Sequence, residues 1–278
     1  MKCNYHTHST YCDGKDPIIR FAEKAVENHI NQLGFSSHAP ISPNYDFTIE
    51  ETQIPSYLKD IQQAQLMYPG IELFSGLECD FIPGITKPFS YYKKSYGLDF
   101  IIGGVHLVKP TDNEGIWFID GPKRESYDNG LAQFFHGDIK KAVTRFWEQS
   151  FEMIETQSFD IIAHLDKIKM HNQGRFFKED ESWYLQLVDQ AIKLISRHNL
   201  IIEVNSRGIY KGRCPDFYPS DYILDQVAEL RIPCIISSDA HQADDLSLLY
   251  EESVDKLKSF GIHYLVKLED GKWSEYPI

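Results

Sequence analysis

The chain has 278 residues, a hydrophobic fraction of 42% and a net charge of -13, enough for one large α/β barrel or two modest domains. No apolar run reaches the roughly 18 residues of a membrane span, and no apolar leader follows Met1, so neither membrane insertion nor export is expected. The acidic balance argues against a nucleic-acid partner on a broad basic face, and five cysteines without a C-x-x-C pair fit reduced thiols in the cytoplasm.

Cys3 to Tyr5 is the first predicted strand. A helix follows over 16–26, with Asp16 as N-cap, Pro17 in the first turn and an apolar stripe of Ile18, Phe21, Ala22, Ala25 and Val26. Further strands are predicted at Gln32 to Phe35, Ile71 to Leu77, Phe100 to Val105, Asp160 to Ala163, Leu200 to Val204 and Cys234 to Ile236. Several are continuous apolar runs, the pattern of strands buried on both faces of a parallel sheet. Helical periodicity occupies Ser56 to Met67, Ile139 to Thr156, Ser182 to His198, Pro219 to Glu229 and Asp245 to Phe260. Between the fourth strand and the next helix, residues 109–137 show neither pattern but hold Trp117, Phe118, Phe134 and Phe135. A segment this long and aromatic predicts a lid-like insertion. Alternation of strands and helices predicts βαβ units and a parallel sheet, with enough strands to close a barrel and no composition shift that would split the chain into two domains.

The polar residues of interest fall where the predicted strands end: His6 and His8, His38, Glu78, His106, His164, Asn205 with Arg207, and Asp239 with His241. In a parallel barrel the loops after the strands gather on one rim, so these residues converge, and a set of six imidazoles with carboxylates suits a polynuclear metal site. His6 and His8 are two apart and point to the same side of an extended segment. Alone, H-x-H is as readily two surface or core histidines; Asp239 and His241 repeat the spacing after another strand. Glu78 could bridge two ions, or be a solvated loop carboxylate. Asp13 precedes Gly14 and reads equally as a turn residue or a ligand. His29, His136, His171, His198 and His263 lack a matching pattern and read as structural or exposed.

The motifs His6-Thr7-His8, Ser36-Ser37-His38-Ala39-Pro40, Gly76-Leu77-Glu78, Gly103-Gly104-Val105-His106, Ala163-His164-Leu165-Asp166, Glu203-Val204-Asn205-Ser206-Arg207 and Ser237-Ser238-Asp239-Ala240-His241 together resemble the PHP (polymerase and histidinol phosphatase) family, in its stand-alone histidinol-phosphate phosphatase branch, over nearly the whole chain. The resemblance implies one distorted (β/α)7 TIM-like barrel with the site at the strand C-termini. It implies three divalent ions: one on His6, His8, Glu78 and Asp239, a second on Glu78, His106 and His164, and a third on His38, His241 and Asp13. Asp13 departs from the family, whose members often carry a histidine in that loop. The mixed imidazole and carboxylate set fits Zn, Mn or Fe without choosing among them.

The activity implied is hydrolysis of L-histidinol phosphate by water activated at the metals, a small phosphate monoester being drawn to a centre whose ions outweigh its carboxylates. Asp239 is the candidate to orient or deprotonate that water. Arg207, two residues after Asn205, would bind phosphate through its planar fork; Arg175 is a second clamp or an exposed arginine. His38 or His241 could assist the leaving group if not fully engaged as ligands. Three other readings stand beside this one: a family member acting on nucleotides or other small phosphate esters, a metal-dependent amidohydrolase, and a non-catalytic metal-binding module. Neither the metal nor the oligomeric state is readable from sequence.

Overall fold

The computed structural model describes residues 1–42, 45–111 and 115–278. In chain order its strands are β1 (Cys3–Asn4), β2 (Gln32–Phe35), β3 (Glu72–Asp80), β4 (Phe100–Gly104), β5 (Leu107–Val108), β6 (Trp117–Phe118), β7 (Ile161–Ile162), β8 (Ile201–Asn205), β9 (Cys234–Ser237), β10 (Tyr264–Glu269) and β11 (Lys272–Pro277). Seven of them pair in parallel in the order β1-β2-β3-β4-β7-β8-β9. The ring meets itself just beyond the strand ends, where Thr7 and Ala240 form a parallel bridge and His8 N donates to Ala240 O at 2.8 Å. The seven predicted strands are thus the seven of a nearly closed, distorted TIM-like barrel.

Apolar faces dock the helices outside the sheet. In α1 (Ile18–Glu27), Ile18, Phe21, Ala22 and Ala25 are buried, the stripe expected from their spacing. Asp16, expected to cap this helix, instead accepts Ala243 N at 2.8 Å, and Pro17 takes the N-cap position without a side-chain hydrogen bond. The helices α2 (Ile54–Met67), α5 (Ile139–Thr156), α6 (Ser182–His198), α8 (Asp221–Leu230) and α9 (Tyr250–Ser259) match predicted ones. Three others, α3 (Phe89–Tyr96), α4 (Arg124–Phe135) and the one-turn α7 (Arg207–Tyr210), were not read from the sequence. α5 opens on Asp138, whose carboxylate accepts Lys141 N at 3.0 Å, a conventional N-cap.

The expected insertion at about 109–137 includes residues 112–114, which lie outside the described residues. Its described part holds β6, paired antiparallel with β5, and α4. Gly130 of α4 lets the indole of Trp117 approach so closely that a Cβ there would stand 2.1 Å from Trp117 Cδ1. At the opposite end of the barrel, the β10–β11 hairpin packs across the strand N-termini: Leu268 N donates to Tyr5 Oη at 2.8 Å, Gln32 Nε2 donates to Leu268 O, and Trp273 meets Tyr5 edge-on at 5.0 Å. This hairpin was also absent from the sequence reading. Among the described residues no helix is long and apolar enough to cross a membrane.

Candidate metal centre

β1 ends before His6 and His8, and both imidazoles are fully buried at the C-terminal rim. Across from them, Glu78 on β3 divides the histidines between its two oxygens. Oε2 lies 3.1 Å from His6 Nε2, 3.3 Å from His8 Nε2 and 3.2 Å from His38 Nδ1. Oε1 lies 3.1 Å from His164 Nε2 and 3.5 Å from His106 Nε2. Asp239 Oδ1 is 3.4 Å from His8 Nε2 and 3.8 Å from His6 Nε2. Beside this group, His241 Nε2 is 3.2 Å from Asp13 Oδ2, while His38 and His8 each turn a ring nitrogen to within 4.0 Å of Asp13 Oδ1. The structure therefore gathers all nine residues expected as ligands, Asp13 included.

These side chains fit divalent ions. His6 Nε2, His8 Nε2 and His38 Nδ1 are buried without a hydrogen-bond partner, although buried polar atoms are almost always paired. Each aims at a carboxylate oxygen across a gap that several residues share, and sets such as His6, His8 and Glu78, or Glu78, His106 and His164, or His8, Asp13, His38 and His241, bring their donor atoms within 4.8 Å of one another. The far side of the rings is also prepared: His6 Nδ1 is 2.5 Å from Glu203 Oε1 and His106 Nδ1 is 2.9 Å from Asp80 Oδ2. Carboxylates on the outer nitrogen are the usual device for fixing the tautomer of a metal-binding histidine. Two ligand candidates hold left-handed backbone, His164 at φ 24° and Asp239 at φ 50°. Non-glycine residues enter that region at a cost and cluster at functional sites.

The electrostatics of the cluster keep its acids ionised. Burial would push Glu78 up, but His6, His38 and His106 outweigh it and hold the carboxyl well below the usual range. Asp239 is likewise held down against burial by His6 and Arg207, and Asp13 by His241 and His38. Burial drives His38 down to about 4 and, with His8 and Arg207 adding to it, His241 down to about 3, leaving both neutral. His6 is raised to about 10 against its burial by Glu203, Glu78 and Asp239.

Above the cluster lies a cavity of about 270 Å³ lined by Asp13, His38, Glu78, His106, Asp239 and His241 on one side, by Phe47, Phe118, Asp120 and Pro122 on another, and by the cations Lys167, Arg207 and Arg213. Arg207 Nη1 donates to Asp239 O at 2.6 Å and lies 2.7 Å from His241 Nδ1. Asn205 supports it, accepting Arg207 N on Oδ1 at 2.9 Å and turning Nδ2 to Glu203 and Asp239. Arg175, expected as a second clamp, is placed elsewhere. Its guanidinium forms a two-pronged pair with Asp128 of α4 at 2.7 and 2.8 Å and donates to His171 O, away from the cavity lining. Lys167 and Arg213 face the cavity in its stead; no motif singles them out, although Lys167 follows His164 by three residues. Glu203 and Asp80 were also missed, and each lies two residues from a recognised site residue on the same strand.

A family model described as the PHP domain matches residues 4–207. A protein of Deinococcus radiodurans named "Probable histidinol-phosphatase" is 25% identical over 93% of this chain and 94% of its own length. The Bacillus subtilis histidinol-phosphatase is 23% identical over 92% of this chain and 99% of its own. The crystal structure of histidinol phosphate phosphatase from Lactococcus lactis, complexed with Zn, L-histidinol and phosphate, shares the fold with a TM-score of 0.70 at 17% identity, covering 98% of each chain. With the family model spanning most of its barrel, the chain belongs to the PHP domain family.

Proposed function

We propose that this chain is a metal-dependent phosphatase that hydrolyses L-histidinol phosphate to L-histidinol and inorganic phosphate. The observation that carries the reading is the convergence of six histidines and three carboxylates around Glu78, beneath a cavity with arginine and lysine on its wall. The substrate follows from the relatives that match nearly end to end and are named for that activity.

In this reading three divalent ions are held, by His6, His8, Glu78 and Asp239, by Glu78, His106 and His164, and by Asp13, His38 and His241. Such ions supply Lewis acidity toward phosphate oxygens and lower the pKa of water toward about 7. Asp239 accepts the proton of the attacking water or orients it. Arg207, anchored on the carbonyl of Asp239, binds a phosphate oxygen, and its fixed fork limits the ester to one orientation. Water oxygen bonds to phosphorus as the ester oxygen leaves, and the proton that Asp239 has taken from the water passes to that leaving oxygen. The insertion supplies Phe118, Asp120 and Pro122 to the cavity wall, which suits a small ester better than a nucleotide. Purified protein reloaded with Zn or Mn should release phosphate from L-histidinol phosphate faster than from nucleoside monophosphates. Inertness toward L-histidinol phosphate with turnover of other monoesters would overturn the substrate.

A further inference from the structure

The histidines of the centre are not equally free to receive an ion. His6 Nε2 and His8 Nε2 are buried without a hydrogen-bond partner, whereas both ring nitrogens of His241 are engaged. Nδ1 lies 2.7 Å from Arg207 Nη1 and 3.1 Å from Asp239 O, and Nε2 lies 3.2 Å from Asp13 Oδ2. A guanidinium has no lone pair and only donates. Nδ1 at 2.7 Å from it therefore accepts, and the ring carries its one hydrogen on Nε2, facing the Asp13 carboxylate. Arg207, His241 and Asp13 form one chain of donors and acceptors that is complete without a metal. The same atoms also allow a second arrangement. With the hydrogen on Nδ1, that atom donates to Asp239 O, two donors face each other across 2.7 Å, and the guanidinium has to draw back from the ring. Tyr210 Oη gives its hydrogen to Ser238 O at 2.7 Å, so the two lone pairs of Asp239 O serve Nδ1 and Arg207 together. Arg207 thus keeps its bond to Asp239 O as it withdraws from the ring into the cavity that it lines.

We propose that Arg207 and a divalent ion at Asp13, His38 and His241 compete for His241, so that filling this site switches the imidazole tautomer and turns the guanidinium toward the substrate phosphate. The inference rests on the ligand set of the phosphatase reading and not on its alcohol. An ion needs the lone pair of Nε2. The hydrogen leaves Nε2 and one is taken up on Nδ1, with no net change in protons. Binding here therefore breaks the bond from Arg207 to Nδ1 and the contact of the Nε2 hydrogen with Asp13, a cost that His6 and His8 do not carry at their bare Nε2. This site is the weakest of the three. By linkage, ion binding at His241 and anion binding by Arg207 favour each other, since both select the arrangement in which the two side chains have parted.

Nitrogen-15 spectra of the metal-free chain test this directly. His241, identified by the signal lost in His241→Gln, should be the tautomer with hydrogen on Nε2, and titration with Zn should convert it to the Nδ1 form only in the last binding step. In chelator competition, Arg207→Met should tighten that weakest Zn step by about tenfold, the weight of one hydrogen bond to a charged group. Arg213→Met removes an equal charge from the same cavity wall and should change the step by less than about threefold, as a screened charge without contact to the ring. The wild-type spectrum decides even where Arg207→Met does not fold. Hydrogen on Nδ1 in the metal-free chain, an unchanged last step in Arg207→Met, or an equal gain in Arg213→Met would each overturn the competition and leave the phosphatase reading standing. Fewer than three Zn ions per wild-type chain would overturn the three-ion reading, and the inference with it.

Discussion

Glu203 Oε1 stands 2.5 Å from His6 Nδ1, both side chains fully buried, while Glu203 Oε2 accepts the amide of His164 at 2.7 Å. One carboxylate therefore orients the ring of one ligand candidate and pins the backbone of another at its left-handed φ. Glu203→Gln keeps the volume and removes the charge that steadies His6. It should weaken metal binding by about 10–100-fold, the usual cost of losing such a partner, read by chelator competition. Unaltered affinity would show that Glu203 only fills space.

Glu78 is the residue on which both halves of the cluster depend, since each of its oxygens faces different imidazoles. Alanine at Glu78 should abolish turnover and lower the bound metal below that of wild type in elemental analysis. Alanine at His6 or Asp239 should do the same. Retained turnover in these variants would refute the metal mechanism.

Chelation should destabilise the fold as well as stop the reaction. Ions that bind only the native state stabilise it by about 2.7 kcal/mol at a hundredfold excess over Kd, which for a domain of this size is a Tm shift of roughly 5 °C. Scanning calorimetry of metal-free and reloaded protein measures it, and equal transitions would contradict coupling of the ions to the barrel.

Arg207 and Arg175 should part company. Arg207→Ala is expected to lower kcat/KM by about a hundredfold, as loss of an aligned charge on a transferring phosphoryl group does, with weaker inhibition by phosphate. Arg175→Ala should change kcat/KM by less than about twofold. Because its pair with Asp128 is partly exposed, the stability cost should stay below about 1 kcal/mol. Steady-state kinetics of the two variants side by side would expose a reversed order.

The strands and the candidate ligands were legible because a parallel barrel writes itself as apolar runs, and His6, His38, His106 and His164 each stand at the end of one. The partners behind them were present but unread. Asp80 follows Glu78 by two and Glu203 precedes Asn205 by two, so the two-residue period of a strand already placed each on the side of a recognised site residue. The hairpin β10–β11 had its own marker in Asp270-Gly271, both with positive φ, a dipeptide that favours such turns. In α3 and α4 polar residues interrupt the apolar period, and these helices gain their form from packing, as where Gly130 admits Trp117. The placement of Arg175 was out of reach, because Asp128, which captures it, lies 47 residues away.

The bridge between Thr7 and Ala240 is the place where the ring of strands joins itself. His6 and His8 lie on one lip of that join and Asp239 and His241 on the other, so an ion shared between them would act as a clasp on the longest loop in the chain. Drawing those two lips together carries the entropy cost of closing that loop, which the ion offsets only once every intervening strand is in place. Occupancy of the centre would therefore be a record of completed assembly: a barrel with one strand out of register would hold its histidines apart and be left both open and inert.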